Sequence, residues 1–501
     1  MRSLKTLRSD QQGMALVMAL LMVLAVSVVT GSLVMVARSE ALSSTSYTSM
    51  SQVRYGAESG IHAAANYLMN TYASPSAASA TDPFAAYDMS GSPVRLIANG
   101  RPVVLSSDPA VASNYPGTAQ ATIDAFVANS VGNLNVNGAP VAYAARATLV
   151  SMSTVTDYYT QQPITIQTWR IEGLGRINGS GQSLVEVEGT LERRPTPVFA
   201  YAAFATDNGC NAMSFAGGAD TNSYDSGNLA LGASNPPTGG NVGTNGSLDG
   251  NGGTTDINGT LSTPRSGVGN CTSNNVTAAT ISGFATVSEG LVQLPQPINL
   301  PTPPVPTAGT TDYHFTSSSG CTGAPFCAMI SGKPTIVPPT SSTVIPMRDV
   351  DMNGSSELHL RAGIYEVNSL TLNGGAKIVV DSGPVIIKVK GMTSSGGTMN
   401  TPLDLSGGGV SNPSMNPQNL QFVYAGTGNV KITGGSTTAA LVYAPNASGS
   451  FSGASTNFYG AVVTKYVTSM GGFSLFYDRR LLNTVMTAGP HLMTAFTWKT
   501  F

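Results

Sequence analysis

The chain is short of charge. Only 10% of its 501 residues are Asp, Glu, Lys or Arg, against roughly 25% in an ordinary soluble domain. The net charge of -2 offers no field that would draw in nucleic acid or an anionic membrane surface, so no nucleic-acid partner is expected. Histidine, the commonest general base, is nearly absent: His62, His314, His359 and His491 are scattered without triad-like spacing. Neither a GxxxxGK[ST] phosphate loop nor an HExxH zinc motif occurs. No catalytic residue is therefore expected, and no cofactor. A hydrophobic content of 41% rules out the apolar-poor, charge-rich signature of disorder. Glycine, at 56 residues, is the main excess, and Ser, Thr and Asn crowd the middle of the chain. That composition suits a β-rich extracellular protein with many turns and uncharged polar faces.

Cysteine is also sparse, with Cys210, Cys271, Cys321 and Cys327. An even count downstream of a membrane segment fits two disulfides in an oxidising compartment. Three pairings are possible. Cys321–Cys327 is preferred because it closes a short loop, which leaves Cys210–Cys271. Zinc is the rival reading, but there is no CxxC and no nearby His pair.

Long uncharged runs are not lacking. Met14 to Ala37 is 24 positions without a charge, roughly 36 Å as a helix and enough to cross a bilayer. A leader, Met1 to Gly13, carries Arg2, Lys5 and Arg8, so the positive-inside rule keeps it cytoplasmic and exports the chain beyond Ala37. A secretory signal has a shorter apolar core, although Ser39-Glu40-Ala41 would pass as a weak cleavage site. Leu42, Met50, Val53, Ala57, Ile61, Ala64 and Leu68 then continue as one helical stripe with no Pro before Pro75. One helix over residues 14–70, roughly 85 Å long, is more than a simple anchor needs.

Gln11-Gln12-Gly13-Met14-Ala15-Leu16-Val17, the apolar run, and Ala57-Glu58-Ser59-Gly60 resemble the N-terminal region of PilX-type minor pilins over about the first 70 residues. The resemblance implies cleavage by prepilin peptidase between Gly13 and Met14, with Met14 becoming the N-methylated first residue. It implies that the helix packs with other pilins or pseudopilins. It further implies a single-pass inner-membrane protein whose C-terminal domain is exported to a pilus or cell surface. Major pilins carry Glu at the fifth mature position, where this chain has Met18. That departure points to a rare or tip position rather than the repeating body of a filament.

The expected fold is α+β: the leader 1–13, the helix 14–70, a small antiparallel β headgroup over 71–197, and a β-solenoid-like surface domain over 198–501. The headgroup's best hairpin starts at Ile164–Ile171, turns near Asn178-Gly179 and returns through Val185, Val187 and Leu191. These alternate with Glu186, Glu188, Thr190 and Glu192 as a wet face. Residues 74–83 read as an exposed loop. In the last domain Phe422–Ala425, Leu441–Ala444 and Ala461–Thr464 recur at offsets of 19 and 20, trailed by Gly434-Gly435, Gly453 and Gly471-Gly472. Asn353-Gly354 and Asn373-Gly374 stand 20 apart. A period near 20 with short strands favours a β-solenoid over an irregular β-sandwich. Residues 294–306, with Pro at 295, 297, 301, 303, 304 and 306, read as an extended connector.

One acidic run has a ligand-like spacing. Asp349, Asp351 and Asn353 followed by Gly354 match the first half of a calcium loop. The closing acid is missing because Leu360 holds the twelfth place, though Glu357 is near. The simpler reading is the outward face of a strand. Solenoids include polysaccharide-active enzymes, and a face of Tyr, Asn and Thr would suit surface glycans, but that is fold-level analogy.

Overall fold

The computed structural model describes residues 6–160, 162–177, 183–229, 238–251, 255–283, 285–318, 320–321, 323–433, 438–453 and 456–500. They divide into two units. One comprises Met1–Thr156, Pro163–Pro195 and Ala488–Phe501; the other comprises Asp157–Gln162 and Thr196–Thr487. The expected boundary near residue 197 therefore needs two corrections. The strand Met486–Thr500 joins the sheet of the first unit beside Ser183–Pro197, and residues 157–162 belong to the second.

In the first unit a helix spans Thr6–Asn70, 65 residues, or about 98 Å. It already includes the described part of the leader, so Gly13 is not a structural boundary. Of the expected stripe, Val53, Ala57, Ile61, Ala64 and Leu68 are buried, while Leu42 and Met50 are exposed. The buried part lies on a sheet ordered Val104–Ser106, Ala139–Thr156, Pro163–Ile177, Ser183–Pro197, Met486–Thr500, with Gly132–Val136 also pairing to Ala139–Thr156. The strand pairs from Val104 to Pro197 are antiparallel. Helix and sheet meet almost backbone to backbone: a Cβ on Gly173 or Gly175 would overlap the carbonyl oxygen of Ala57 or Val53, respectively. The hairpin forms as read, with Trp169 opposite Leu191 and Gly173 opposite Val187; Asn178-Gly179 lies outside the described residues. Its wet face is less wet than expected. Glu186 meets Arg146 at 2.6 Å, and Glu172 and Asp108 approach the same guanidinium. Residues 74–83 are irregular but anchored, because Tyr87 and Tyr115 both donate to the buried Asp82 carboxylate, at 2.5 and 2.6 Å.

The second unit is solenoid-like, with parallel pairing between successive coils, which excludes the sandwich. A typical coil has three strands: Gly363–Val367 on the first face, Ser369–Leu372 on the second and Lys377–Val380 on the third. Inward side chains stack from coil to coil. On the first face Ile345, Tyr365, Ile387, Phe422, Val442, Val462, Ala203, Val242 and Leu261 form one buried column. The repeat offset is 20, not 19, at its first step, since Phe422 pairs with Val442. A slip of one would turn Phe422 and its neighbours to the opposite face. The Asn-Gly turns hold as read, with Gly354 and Gly374 at φ +66° and +61°, the left-handed region glycine enters without strain. Gly434-Gly435 lies outside the described residues.

The column order is not the chain order. The chain enters at Ala203–Tyr224, winds outward through Val242–Ile257 and Leu261–Val287, and ends this run at Leu291–Gln293. It resumes at the far end with Tyr313–Phe315 and winds back until Phe473–Asp478 pairs with Asp220–Tyr224. The Pro-rich connector makes the return. Along the first face, from Leu291–Gln293 to Val344–Pro346, lie nine inter-strand steps, about 43 Å at 4.8 Å each. Residues 294–309 in a polyproline-like path reach about 47 Å. Contacts along the way match that route: Asn245 with Ile298, Tyr443 with Pro301, Asn446 with Thr302, Thr307 with Glu366, and Gly309 with Met347. The connector therefore crosses one domain rather than separating two.

Candidate functional site

Among the described residues, exposed large apolar side chains are densest on the free part of the helix. Every side chain from Met14 to Thr48 is exposed, and the most apolar stretch of the helix is wholly unburied. Soluble monomers rarely expose contiguous apolar patches beyond a few hundred Å², so this segment needs lipid or other helices around it. Its polar groups are suited to that. Ser27 donates to Val23 O, Thr30 to Val26 O and Ser32 to Val29 O, at 2.7, 2.7 and 2.8 Å, so within the uncharged stretch Met14 to Ala37 no hydroxyl demands a water partner. The helix is long and apolar enough to cross a membrane, and its first charges after Met14 are Arg38 and Glu40.

Near the far end the resemblance residues play separate parts. Ala57 is fully buried, a Cβ on Gly60 would overlap the Ala144 carbonyl oxygen, and Glu58 pairs with Arg54 at 2.7 Å. Met14 and Met18 are exposed, at 69% and 66%; Gly13 lies within the helix.

The cysteines pair as Cys210–Cys271 and Cys321–Cys327, with Cα separations of 5.7 and 5.4 Å. The short one sits where the chain folds back at one end of the stack, in the antiparallel hairpin Cys327–Ile330 with Lys333–Ile336. The long one links the turn after Ala203–Ala205 to the segment beyond Leu261–Thr263.

Asp349, Asp351 and Asn353 do not converge as a calcium loop. Asp349–Met352 is a strand, so alternate side chains run along it instead of curling round a centre. Each is engaged by its neighbours: Asp349 accepts from Asn368 and Ser369 at 2.8 and 2.5 Å, Asp351 lies 3.4 Å from His314, and Asn353 accepts from Asn373 at 3.3 Å. Among the described residues no group of three or more His, Cys, Asp or Glu side chains is placed to hold a metal ion.

Glu357 instead belongs to a charged ladder on the third face, which sequence reasoning missed. It meets Lys333 and Lys377 at 2.7 Å each, and His359 meets Asp381 at 2.7 Å. Glu357 and Lys377 are 20 apart, the same offset as the two Asn-Gly turns, so the signal was present. Hydrogen bonds from Lys333 and Lys377 push the Glu357 carboxyl down to about 2, away from the range useful to a general acid or base.

Residues 347–484 match a family described as a domain of unknown function (DUF7305). The match lies within the second unit and covers most of the run that winds back after the connector. No curated protein and no solved structure matches the chain.

Proposed function

We propose that this protein is a non-enzymatic minor pilin or pseudopilin, whose helix joins a type IV pilus or related filament and whose β-rich units are displayed outside. The observation that carries this reading is the division of one helix into a packed half and a bare half. From Val53 to Leu68 the helix is fixed on its own sheet, while Met14 to Thr48 is left without cover. A bilayer core of about 30 Å needs some 20 residues, and the bare segment is longer than that. The surplus suits helix-to-helix packing in a filament core. In this reading prepilin peptidase cleaves between Gly13 and Met14 in the inner membrane, and Met18 marks a rare or tip subunit.

The test is N-terminal mass spectrometry of the membrane-associated protein from strains with and without prepilin peptidase. A methylated Met14 start that disappears without the peptidase supports the proposal. An uncleaved N-terminus in both strains overturns it and leaves an anchored envelope protein outside any filament. A start near Leu42 would mean ordinary signal-peptidase release.

A further inference from the structure

The turns joining the first face of each coil to the second form a row along the stack, and the proline strap runs beside it. Between them lies a cleft of about 510 Å³, within the range of sites that enclose small ligands. Five successive coils contribute to its floor, through Thr427, Asn446, Lys465, Asn208 and Asn245, with Asn299 of the strap opposite. The strap wall is fixed in place. Asn245 donates to Ile298 O at 2.9 Å and accepts from Ile298 N at 2.8 Å, and Tyr443 donates to Pro301 O at 2.6 Å. A ligand would not have to order it, which removes one cost of binding.

The chemistry of the cleft is specific in kind. The charged side chains of its lining, Lys465 and Asp207, lie 3.9 Å apart and offset each other, and the Arg265 guanidinium at one end is spent on the carbonyl oxygens of Asn208 and Asn245, so the lining itself carries no net charge. What remains are the side chains of Asn208, Asn299 and Thr427, which both donate and accept, the side-chain carbonyl oxygen of Asn446 and the exposed ring of Pro297. The Asn245 amide is taken up by the strap, and the Asn446 N–H groups by Thr302 and Ala425. Thr427, Asn446, Lys465 and Asn208 stand on four successive coils, about 4.8 Å apart, close to the advance of one sugar ring in an extended chain. We propose that this cleft binds a neutral, extended polysaccharide lying along the stack axis. The proposal goes beyond the filament reading and holds whether or not the helix enters a filament.

The detergent-solubilised full chain, run in native gels containing xylan, mixed-linkage β-glucan or galactomannan, should be retarded by at least one of them, at high salt as well as low. Thr427 and Asn299 are exposed, so Thr427→Trp and Asn299→Ala should leave the melting temperature unchanged. Thr427→Trp fills the cleft and should abolish the retardation. Asn299→Ala should weaken binding about fivefold, as loss of one hydrogen bond would. No retardation by any of the three neutral chains overturns the proposal. So does retardation only by alginate or polygalacturonate that salt erases, or wild-type binding by Thr427→Trp.

Discussion

At Gly173 and Gly175 the hydrogen in place of a side chain decides how near helix and sheet can come. A Cβ at Gly175 would overlap Val53 O and lie 2.7 Å from Ala57 N, and both are helix backbone that cannot swing aside. Overpacking of this kind costs about 1–3 kcal/mol, so Gly175→Val should lower the melting temperature of the first unit while leaving both disulfides formed. Calorimetry with thiol titration checks this; an unchanged transition would mean that the helix is not held by close approach. Glu357 makes a different prediction. Its folded-state value, about 2, lies below its ordinary 4.5, so the folded state holds the proton less tightly than the unfolded chain. The stabilisation is therefore full above 4.5 and lost as the pH falls toward 2. The melting-temperature gap between wild type and Glu357→Gln should shrink across that window, and a gap that widened would contradict the ladder. Residues of this kind were legible only in part. Asn353 and Asn373 stood out because Asn-Gly is a turn signal, whereas Glu357 and Lys377, at the same offset, lacked any local mark.

Among the elements, the two disulfides differ most in what they constrain. Cys210–Cys271 closes 61 residues and Cys321–Cys327 closes 6. On chain-entropy grounds the first contributes about 4 kcal/mol and the second about 2. The Cys210→Ser/Cys271→Ser pair should therefore shift the denaturation midpoint of the second unit about twice as far as Cys321→Ser/Cys327→Ser; the reverse order would place the main stabilisation at the hairpin end. The long helix was legible over nearly its whole length, because 24 uncharged positions followed by an apolar stripe admit few alternatives. Its continuation through Gly13 into the leader was not, since the leader was bounded by a processing motif and not by a helix breaker. Strand register was legible to within one residue: Val423-Tyr424-Ala425 and Val442-Tyr443-Ala444 are alike in letters at offset 19. The inward column instead needs Phe422 over Val442, and that choice depends on which face is buried.

For the whole molecule, the winding order was beyond what periodicity reveals, because a repeat of 20 gives the distance between coils and not the direction in which the chain visits them. The second unit is a permuted stack, with the last coil, residues 462–478, laid against the first, residues 203–224, along all three faces. Neither disulfide crosses that seam, since Cys210–Cys271 lies before the strap and Cys321–Cys327 after it. The strand Met486–Thr500 makes a second seam by joining the sheet built from residues before the strap. The strap then carries continuity rather than most of the binding between the two parts. A protease site inserted beside Val305, which is 61% exposed, should allow the chain to be cut in two without separating the pieces. On gel filtration in detergent they should elute together at the intact position, and they should part only in denaturant. If they separate under native conditions, the seams are weaker than their pairing implies and the proline strap is what holds the stack closed.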